Sequence, residues 1–106
     1  MPVGTVSNMK AVQLVRTHIT YSGVAFAELV LWQLAKPVAG SAHAFKYRLA
    51  YVMRGICVLR YDNEAGKGDH RHFGSDERAY LFTTPEQLIA DFQHAIERWN
   101  HENRNA

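Results

Sequence analysis

Alternation of apolar and polar residues along most of the chain predicts β-strands. Residues 10–21 are rich in β-branched types and break the alternation once, near Leu14 and Val15, which predicts a strand with a bulge. Residues 22–23 are a Ser-Gly turn pair, and residues 24–34 resume the alternation. These two segments are therefore predicted to form a β-hairpin.

The same alternation predicts a third strand over residues 46–53. It places Lys46 and Arg48 together on one face and the large apolar side chains on the other. An Arg-Gly turn follows, and residues 56–61 predict a fourth strand that leads into a polar segment, residues 62–72. Residues 70–73 are predicted to be extended, and after a polar turn at residues 74–78 the segment 79–82 is predicted as a short further strand or the continuation of the same one.

The C-terminal quarter of the sequence has the signals of a helix. Thr84 is the predicted N-cap, Pro85 the first helical residue and Gln87 the third residue of a capping box. Apolar residues then recur at three- and four-residue steps, at Leu88, Ile89, Phe92, Ala95, Ile96 and Trp99. The predicted class is α+β: a meandering antiparallel sheet of about five strands with one C-terminal helix packed on one face.

Length and composition indicate one ordinary domain. The chain has 106 residues, of which 47% are hydrophobic and 21% charged, and it contains no apolar run long enough to span a bilayer. We expect a flexible tail over residues 1–9, a single domain over 10–101, a polar tail over 102–106, and a cytoplasmic location because no signal peptide is evident. Cys57 is the only cysteine, which excludes an internal disulfide, and its apolar neighbours predict a core position.

Charged and proton-transferring residues are concentrated in the 62–72 segment. Gly66 and Gly68 permit positive φ and close approach of another group, while Lys67, Asp69 and His70 begin a run of ionisable side chains. If residues 70–73 are extended, His70 and His72 share a face and Arg71 points to the other side. This geometry predicts a functional site at the two histidines.

Two histidines on one face suit general acid–base chemistry. On an RNA phosphodiester, one imidazole can take the proton of the attacking 2′-hydroxyl while the other protonates the leaving oxygen, and no metal or other cofactor is required. Lys67 or Arg71 would stabilise the charged transition state, and Asp69 would orient a neighbouring imidazole. The predicted catalytic residues are Lys67, Asp69, His70 and His72, and the predicted substrate-binding residues are Lys46, Arg48, Tyr61, Asn63, Gly66, Gly68 and Arg71, with Tyr61 or Phe73 stacking a base.

Two other interpretations of the 62–72 segment remain open. A Gly-Lys-Gly-Asp stretch between strands is often only a solvated turn. The His-x-His spacing also fits zinc or manganese, with Asp62, Glu64 or Asp69 as further ligands, although acids at these spacings make a weak metal signature. The other four histidines, including His43 in a connection, have no partner that the sequence identifies.

Three stretches of the sequence resemble the TumE family of small toxins from prokaryotic toxin-antitoxin pairs. They are residues 45–52, the Tyr-Asp-Asn of residues 61–63 with the Gly-Lys-Gly-Asp-His-Arg-His of residues 66–72, and Leu81-Phe82 ahead of the helical residues 88–92. The resemblance covers residues 10–100, and the combination within 61–72 is its most specific part.

The resemblance implies a cytoplasmic toxin that arrests growth and is paired with a helix-turn-helix antitoxin. Ribonuclease activity is our inference from the residues and is not part of what the resemblance implies. The alternative is a non-catalytic toxin that binds RNA or a protein, or a metal-dependent nuclease that uses the same segment. We also expect no membrane association and a possible homodimer.

Overall fold

The computed structural model describes residues 11–103 and confirms the α+β class. Six strands form one antiparallel sheet in which each strand pairs with the next one along the chain. They are β1 (Val12–Thr20), β2 (Ala25–Gln33), β3 (Phe45–Met53), β4 (Ile56–Glu64), β5 (Gly68–Phe73) and β6 (Asp76–Ala79), followed by helix α1 (Pro85–Asn103). The sheet thus has one strand more than the sequence predicted.

The first hairpin agrees with the sequence pattern. The pairing of β1 with β2 shifts register between Gln13 and Val15, at the place where the alternation breaks. Residues 21–24, which include the predicted Ser-Gly pair, connect the two strands. The bulge is therefore a feature that the local sequence specifies.

The core lies between the helix and one face of the sheet, which we call the helix face. Leu29 and Leu31 of β2 and Tyr47 of β3 are among its buried members, and Leu88 and Phe92 of α1 pack against it. Fully burying such a side chain contributes about 1.5–3 kcal/mol before conformational entropy is subtracted. The other face of the sheet, which α1 does not cover, is called the open face.

Strand β4 is longer than predicted and changes the description of the 62–72 segment. Asp62 and Asn63 are not in a loop, because β4 continues to Glu64 and both residues are buried. Lys67 N–H donates to the Glu64 carbonyl at 3.1 Å, so the chain reverses in a tight turn and β5 begins at Gly68. The segment is therefore most of a β-hairpin, since backbone pairing with β5 satisfies the polar groups of β4.

The prediction of a strand over residues 79–82 was wrong in its position. The turn after β5 contains only Gly74 and Ser75, and β6 occupies Asp76–Ala79. A positive φ of 61° at Gly74 allows this short reversal. Charged residues of the predicted turn are thus strand residues, which is common on an exposed edge strand.

Helix α1 begins as predicted. Thr84 Oγ1 accepts a hydrogen bond from Gln87 N–H at 3.0 Å, which is the N-cap bond. The helix continues through Asn103, two residues past the domain boundary that we expected at residue 101. The predicted tail over residues 1–9 and the last three residues of the predicted C-terminal tail lie outside the described residues.

Two further expectations can be compared with the described part of the chain. Cys57 is exposed on β4, not in the core, and its Sγ lies 3.3 Å from the Leu59 carbonyl oxygen. The sequence suggested burial because apolar residues surround Cys57 and because strict alternation would place it on the face of the buried Leu59. A register shift between the Tyr51–Leu59 and Val52–Cys57 pairs interrupts that alternation, so Cys57 lies opposite Val52 instead. Within residues 11–103, no helix has the length and hydrophobicity needed to span a bilayer.

Candidate functional site

The open face carries His70 and His72, as predicted, and cross-strand pairing surrounds them with charged residues. One row across the sheet joins Arg48 of β3, Asp62 of β4 and His70 of β5. The next row joins Arg60 of β4 to His72. Residues that pair directly across antiparallel strands point to the same face, so these side chains form one polar patch.

His70 has one ring nitrogen fixed and the other available. Its Nδ1 lies 3.3 Å from the Gly68 carbonyl oxygen, which can only accept. Nδ1 therefore carries the hydrogen in the neutral ring, and Nε2 keeps a lone pair. Lys67 and Glu77 line the same shallow cavity as His70, which has a volume of about 420 Å³.

The Nε2 atom of His72 lies among three charged groups. Arg60 Nη2 is at 3.1 Å, Glu77 Oε2 at 3.5 Å and Asp62 Oδ1 at 3.8 Å. The guanidinium can donate to an unprotonated Nε2, and the carboxylates can accept from a protonated one. The surroundings of His72 therefore provide a partner for both protonation states of the ring.

Asp62 and Arg60 support this patch from within β4. The Asp62 side chain is 12% exposed, and Oδ2 lies 3.3 Å from Arg60 Nε. A buried carboxylate requires such a partner because its desolvation is costly. The ion pair thus holds Arg60 next to His72.

The basic side chains that were predicted to contact the substrate differ in their accessibility. Lys46 Nζ donates to the Asn63 carbonyl oxygen, whereas Arg48 is exposed opposite Asp62. Lys67 is also exposed, and its Nζ is 3.9 Å from Glu64 Oε2. Arg48 and Lys67 are therefore the two predicted cations that remain accessible beside the histidines.

Asp69 does orient an imidazole, but that imidazole belongs to His43. The Oδ2 atom of Asp69 is 2.6 Å from His43 Nε2, and Oδ1 is 3.5 Å from Ser41 Oγ. Asp69 lies one position from His70 on β5, so its side chain is on the helix face, away from both histidines. The structure thus corrects the expected pairing of Asp69 with a neighbouring histidine.

Both ring nitrogens of His43 are used in the structure. Phe45 N–H donates to Nδ1 at 3.2 Å, so Nδ1 is unprotonated and Nε2–H donates to Asp69. The ring also stacks on Phe82, with centroids 3.9 Å apart. We call the His43–Asp69 pair the latch, because it holds the connection between β2 and β3 (residues 34–44) against β5.

Glycines let the turn after β4 pack against this connection. Gly66 N–H donates to the Ala39 carbonyl at 2.7 Å, and φ is 82° at Gly66 and 77° at Gly68. A Cβ on Gly68 would lie 3.1 Å from the Gly40 carbonyl oxygen. Gly66 and Gly68, predicted to admit a substrate, thus admit another part of the same chain.

Tyr47 lies beside the latch with a buried hydroxyl. The ring is 1% exposed, and its hydroxyl makes no hydrogen bond with any described residue. Burial, and then the nearby Asp69 carboxylate, raise the pKa of Tyr47 above its ordinary value. The hydroxyl therefore stays protonated, and its burial is a cost to the folded state.

Asn63, predicted to bind substrate, acts as an extension of the sheet. Its side chain is fully buried, with Oδ1 accepting from Tyr47 N–H at 3.0 Å and Nδ2 donating to the Phe45 carbonyl at 2.7 Å. These bonds continue the β3–β4 ladder beyond its last backbone pair, at Arg48 and Asp62. The amide satisfies the buried Tyr47 N–H and the partly buried Phe45 carbonyl.

Tyr61 and Arg71 are also on the helix face. Tyr61 is 3% exposed and packs edge-on against Tyr80 and Phe92, a core position that leaves no ring face for a base. Burial raises the pKa of Tyr61, while the adjacent Arg71 guanidinium acts to lower it. Arg71 lies over the Phe73 ring, with Cζ 5.1 Å from its centroid, and it is separated from the histidines by the sheet, as the alternation predicted.

Sequence reasoning missed Arg60, Glu77 and His43. Arg60 could be found once residues 60–72 are recognised as a hairpin around Gly66, because the register then pairs Arg60 with His72. Glu77 follows from the β5–β6 pairing. No local signal identifies His43, since 26 residues separate it from Asp69.

The metal interpretation receives no support from the described geometry. Within residues 11–103, no three His, Cys, Asp or Glu side chains are grouped as ligands of a metal ion would be. Asp69 is committed to His43, and Asp62 to Arg60. The metal-dependent alternative therefore depends on its biochemical test.

Comparison with known proteins identifies the family. The sequence model described as Toxin TumE matches residues 6–100. The chain belongs to the TumE family of toxins. No curated protein and no solved structure gives a significant match.

Membership covers both the latch and the histidine patch. The matched range contains every described strand and most of α1. A toxin role, with an antitoxin as its partner, therefore applies to the whole described domain of this TumE-family toxin.

Proposed function

We propose that this toxin is a metal-independent endoribonuclease in which His70 is the general base and His72 the general acid. The observation that carries the proposal is the different environment of the two imidazoles on one open face. His70 keeps Nε2 available because Nδ1 bonds to Gly68, and His72 has carboxylates that can hold a protonated Nε2. Histidine is the side chain whose ordinary pKa lies nearest to neutral pH.

The proposed reaction is an internal transfer at phosphorus. His70 Nε2 takes the proton of a ribose 2′-hydroxyl, and the oxygen attacks the adjacent phosphorus. His72 Nε2–H gives its proton to the 5′-oxygen as the P–O bond breaks. The products are a 2′,3′-cyclic phosphate and a 5′-hydroxyl end. His70 has then gained one proton and His72 has lost one, so the reaction consumes no net proton.

The reaction also requires positive charge near the phosphate, and cationic side chains near the histidines can supply it. Negative charge develops on the phosphoryl oxygens in the transition state, and fixed positive groups stabilise it. Lys67 borders the His70 cavity, and Arg48 is exposed in the same row as His70. We assign Lys67 to the transition state and Arg48 to phosphates of the bound RNA strand.

The proposal includes a cytoplasmic location, where RNA is available, and a helix-turn-helix antitoxin. A homodimer is a separate prediction. Its basis is the edge strand β1, where Val12 is 56% and Leu14 44% exposed. Sedimentation at the monomer mass across a wide concentration range would remove the homodimer.

Purified protein incubated with RNA in excess chelator tests the reaction. Wild type is expected to give fragments with cyclic-phosphate ends, and His70→Ala and His72→Ala are expected to lose cleavage by about 100-fold or more each. His101→Ala is the matched control, because His101 is exposed in the last turn of α1. Circular dichroism must show equal folding of all four proteins.

Three outcomes separate the alternatives. Cyclic-phosphate ends formed in chelator support the proposal. Binding of RNA without cleavage supports a non-catalytic binding toxin, whose basis would be the basic residues of the open face. Cleavage that disappears in chelator supports the metal-dependent nuclease and contradicts the acid–base assignment.

A further inference from the structure

A second polar site lies on the helix face, between the sheet edge and α1. Two adjoining cavities of about 300 and 490 Å³ share Arg71, Phe73 and Arg98 among their lining residues. Arg78 borders the smaller cavity. We call these two cavities together the arginine groove, and the volume of each is in the range of small-molecule sites.

Strand pairing and the position of α1 bring the three arginines to the same cavity. Arg71 of β5 pairs directly with Arg78 of β6, and Arg98 reaches the same groove from α1. Like charges directly opposite on neighbouring strands are destabilising. Such an arrangement becomes favourable when an anion lies between the guanidinium groups.

Among residues 11–103, the carboxylates around the groove leave one arginine without an ion pair. Arg78 Nε is 2.9 Å from Asp76, and Arg98 Nε is 3.1 Å from Glu102. Arg71 forms no ion pair with any residue between 11 and 103.

Asp91, the remaining acid of the groove, keeps its negative charge there but forms no ion pair with Arg71. Its two oxygens accept from Tyr80 Oη at 2.5 Å and from Gln87 Nε2 at 2.7 Å. Arg78 and Arg98 are highly exposed, and exposed ion pairs are weak, so an anion can compete for both arginines. The groove therefore offers one guanidinium that lies over Phe73 but has no ion pair among residues 11–103, and two whose exposed ion pairs an anion can displace.

The lining also selects among anions. Phe73 and Trp99 border the smaller cavity, and Tyr80 and His94 the larger one. A guanidinium binds the oxygens of a phosphate through parallel hydrogen bonds, and rings can stack on a nucleobase. The combination fits an aromatic phosphate better than a simple inorganic ion.

We propose that the arginine groove binds a phosphate monoester of mononucleotide size, with Arg71 at its centre and Arg78 and Arg98 at its rim. The site does not depend on ribonuclease activity, because the sheet separates its central Arg71 from His70 and His72, although Arg78 at its rim also borders the His70 cavity. The phosphate can belong to a free nucleotide or to the 5′ end of a nucleic acid strand, since both present the same group.

Calorimetric titration of the full chain tests the site. Adenosine 5′-monophosphate is expected to bind at least about tenfold more tightly than adenosine, because adenosine lacks the phosphate. Arg71→Gln is expected to weaken nucleotide binding by about tenfold or more, and Arg71→Lys by less. Arg16→Gln is the matched control, because Arg16 is exposed on β1 and does not line the groove.

Three results would overturn the proposal. They are equal affinity for nucleotide and nucleoside, unchanged nucleotide affinity in Arg71→Gln, or equal weakening in Arg16→Gln, which would indicate non-specific attraction. If Arg71→Gln does not fold, Arg98→Gln replaces it, because Arg98 is exposed on the helix surface. For that variant, weaker nucleotide binding supports the site and unchanged binding contradicts it.

A 5′-phosphorylated deoxytrinucleotide, which has no 2′-hydroxyl to be cleaved, distinguishes the two sources of phosphate. Affinity equal to that of the mononucleotide identifies a strand end as a ligand. Much weaker affinity identifies a free nucleotide. Both results support a phosphate monoester site, provided that the mononucleotide itself binds.

Discussion

The two faces of β5 divide one short polar run between different tasks. On the open face, His70 and His72 lie among Arg60, Asp62 and Glu77 with ring nitrogens that can exchange protons. On the helix face, Asp69 is bound to His43 at 2.6 Å. Residues that are adjacent in the sequence are therefore separated by the thickness of the sheet.

The comparison shows why a dense cluster of reactive residues is not itself a site. Acid–base chemistry requires accessible groups with a free lone pair or proton, and the open face provides them. A structural role requires every donor and acceptor to be paired, and the latch meets that condition, whereas the neighbouring Tyr47 hydroxyl has no partner among the described residues. The following predictions test this division, beginning with the largest expected effect.

Phe92→Ala should destabilise the core that supports both faces. Phe92 is fully buried against the helix face, and its truncation is expected to lower the free energy of unfolding by about 3–5 kcal/mol. Leu81→Ala, at a side chain that is 82% exposed, should change it by less than about 0.5 kcal/mol. Urea denaturation measures both, and equal losses would contradict the described core.

Asn63→Ala should act on stability and not on substrate binding. It leaves the buried Tyr47 N–H without its partner, at about 1–3 kcal/mol, and removes the bond to the partly buried Phe45 carbonyl at a smaller cost. Asn63→Asp keeps the shape and one acceptor but loses the donor to Phe45, so it should also destabilise the fold. Unchanged denaturant midpoints for both variants would show that the amide does not hold the β3–β4 ladder.

Asp69→Ala and His70→Ala compare the two faces at adjacent positions. Loss of the charge-assisted bond to His43 should lower the free energy of unfolding by about 1.5–3 kcal/mol, whereas His70→Ala should change it by less than about 0.5 kcal/mol. Thermal and urea denaturation measure the difference. If Asp69→Ala keeps full stability and abolishes RNA cleavage, Asp69 belongs to the chemistry and the division between faces is wrong.

Tyr47→Phe should have the smallest effect near neutral pH, because the removed hydroxyl has no partner among the described residues. We expect an equal or slightly higher free energy of unfolding. The pKa of Tyr47 is raised in the folded state by burial and then by Asp69, so the unfolded chain loses its proton first.

The sign of the alkaline effect follows from that order. The contribution of Tyr47 to stability is fully present below the ordinary pKa of 10.0 and is lost as pH rises above it. Tyr47→Phe should therefore lose less stability than wild type between pH 9 and about 11, measured by urea denaturation at each pH. A steeper alkaline loss in the variant would contradict the position of this hydroxyl.

Most of the fold could be predicted from the sequence because its signals are local. The bulge near Leu14, the N-cap at Thr84 and the shared face of His70 and His72 each depend on neighbouring residues. The boundaries of β4 and β6 could not be predicted. Polar residues such as Asp62 and Asn63 usually indicate a loop, and only partners from other strands make their burial favourable.

The candidate site was predictable only in part, for the same reason. Strand alternation predicts that the two histidines share a face. Arg60 and Glu77 lie next to His72 only because of the register between neighbouring strands. Asp69 pairs with His43 only because the connection between β2 and β3 packs against β5. That long-range contact has no sequence signature.

Growth arrest on induced expression is the most direct test of the division between faces. His70→Ala and His72→Ala should fail to arrest growth while folding normally, and His101→Ala should arrest it like wild type. Equal arrest by all four proteins, at matched expression and circular dichroism, would contradict the assignment of the chemistry to the open face.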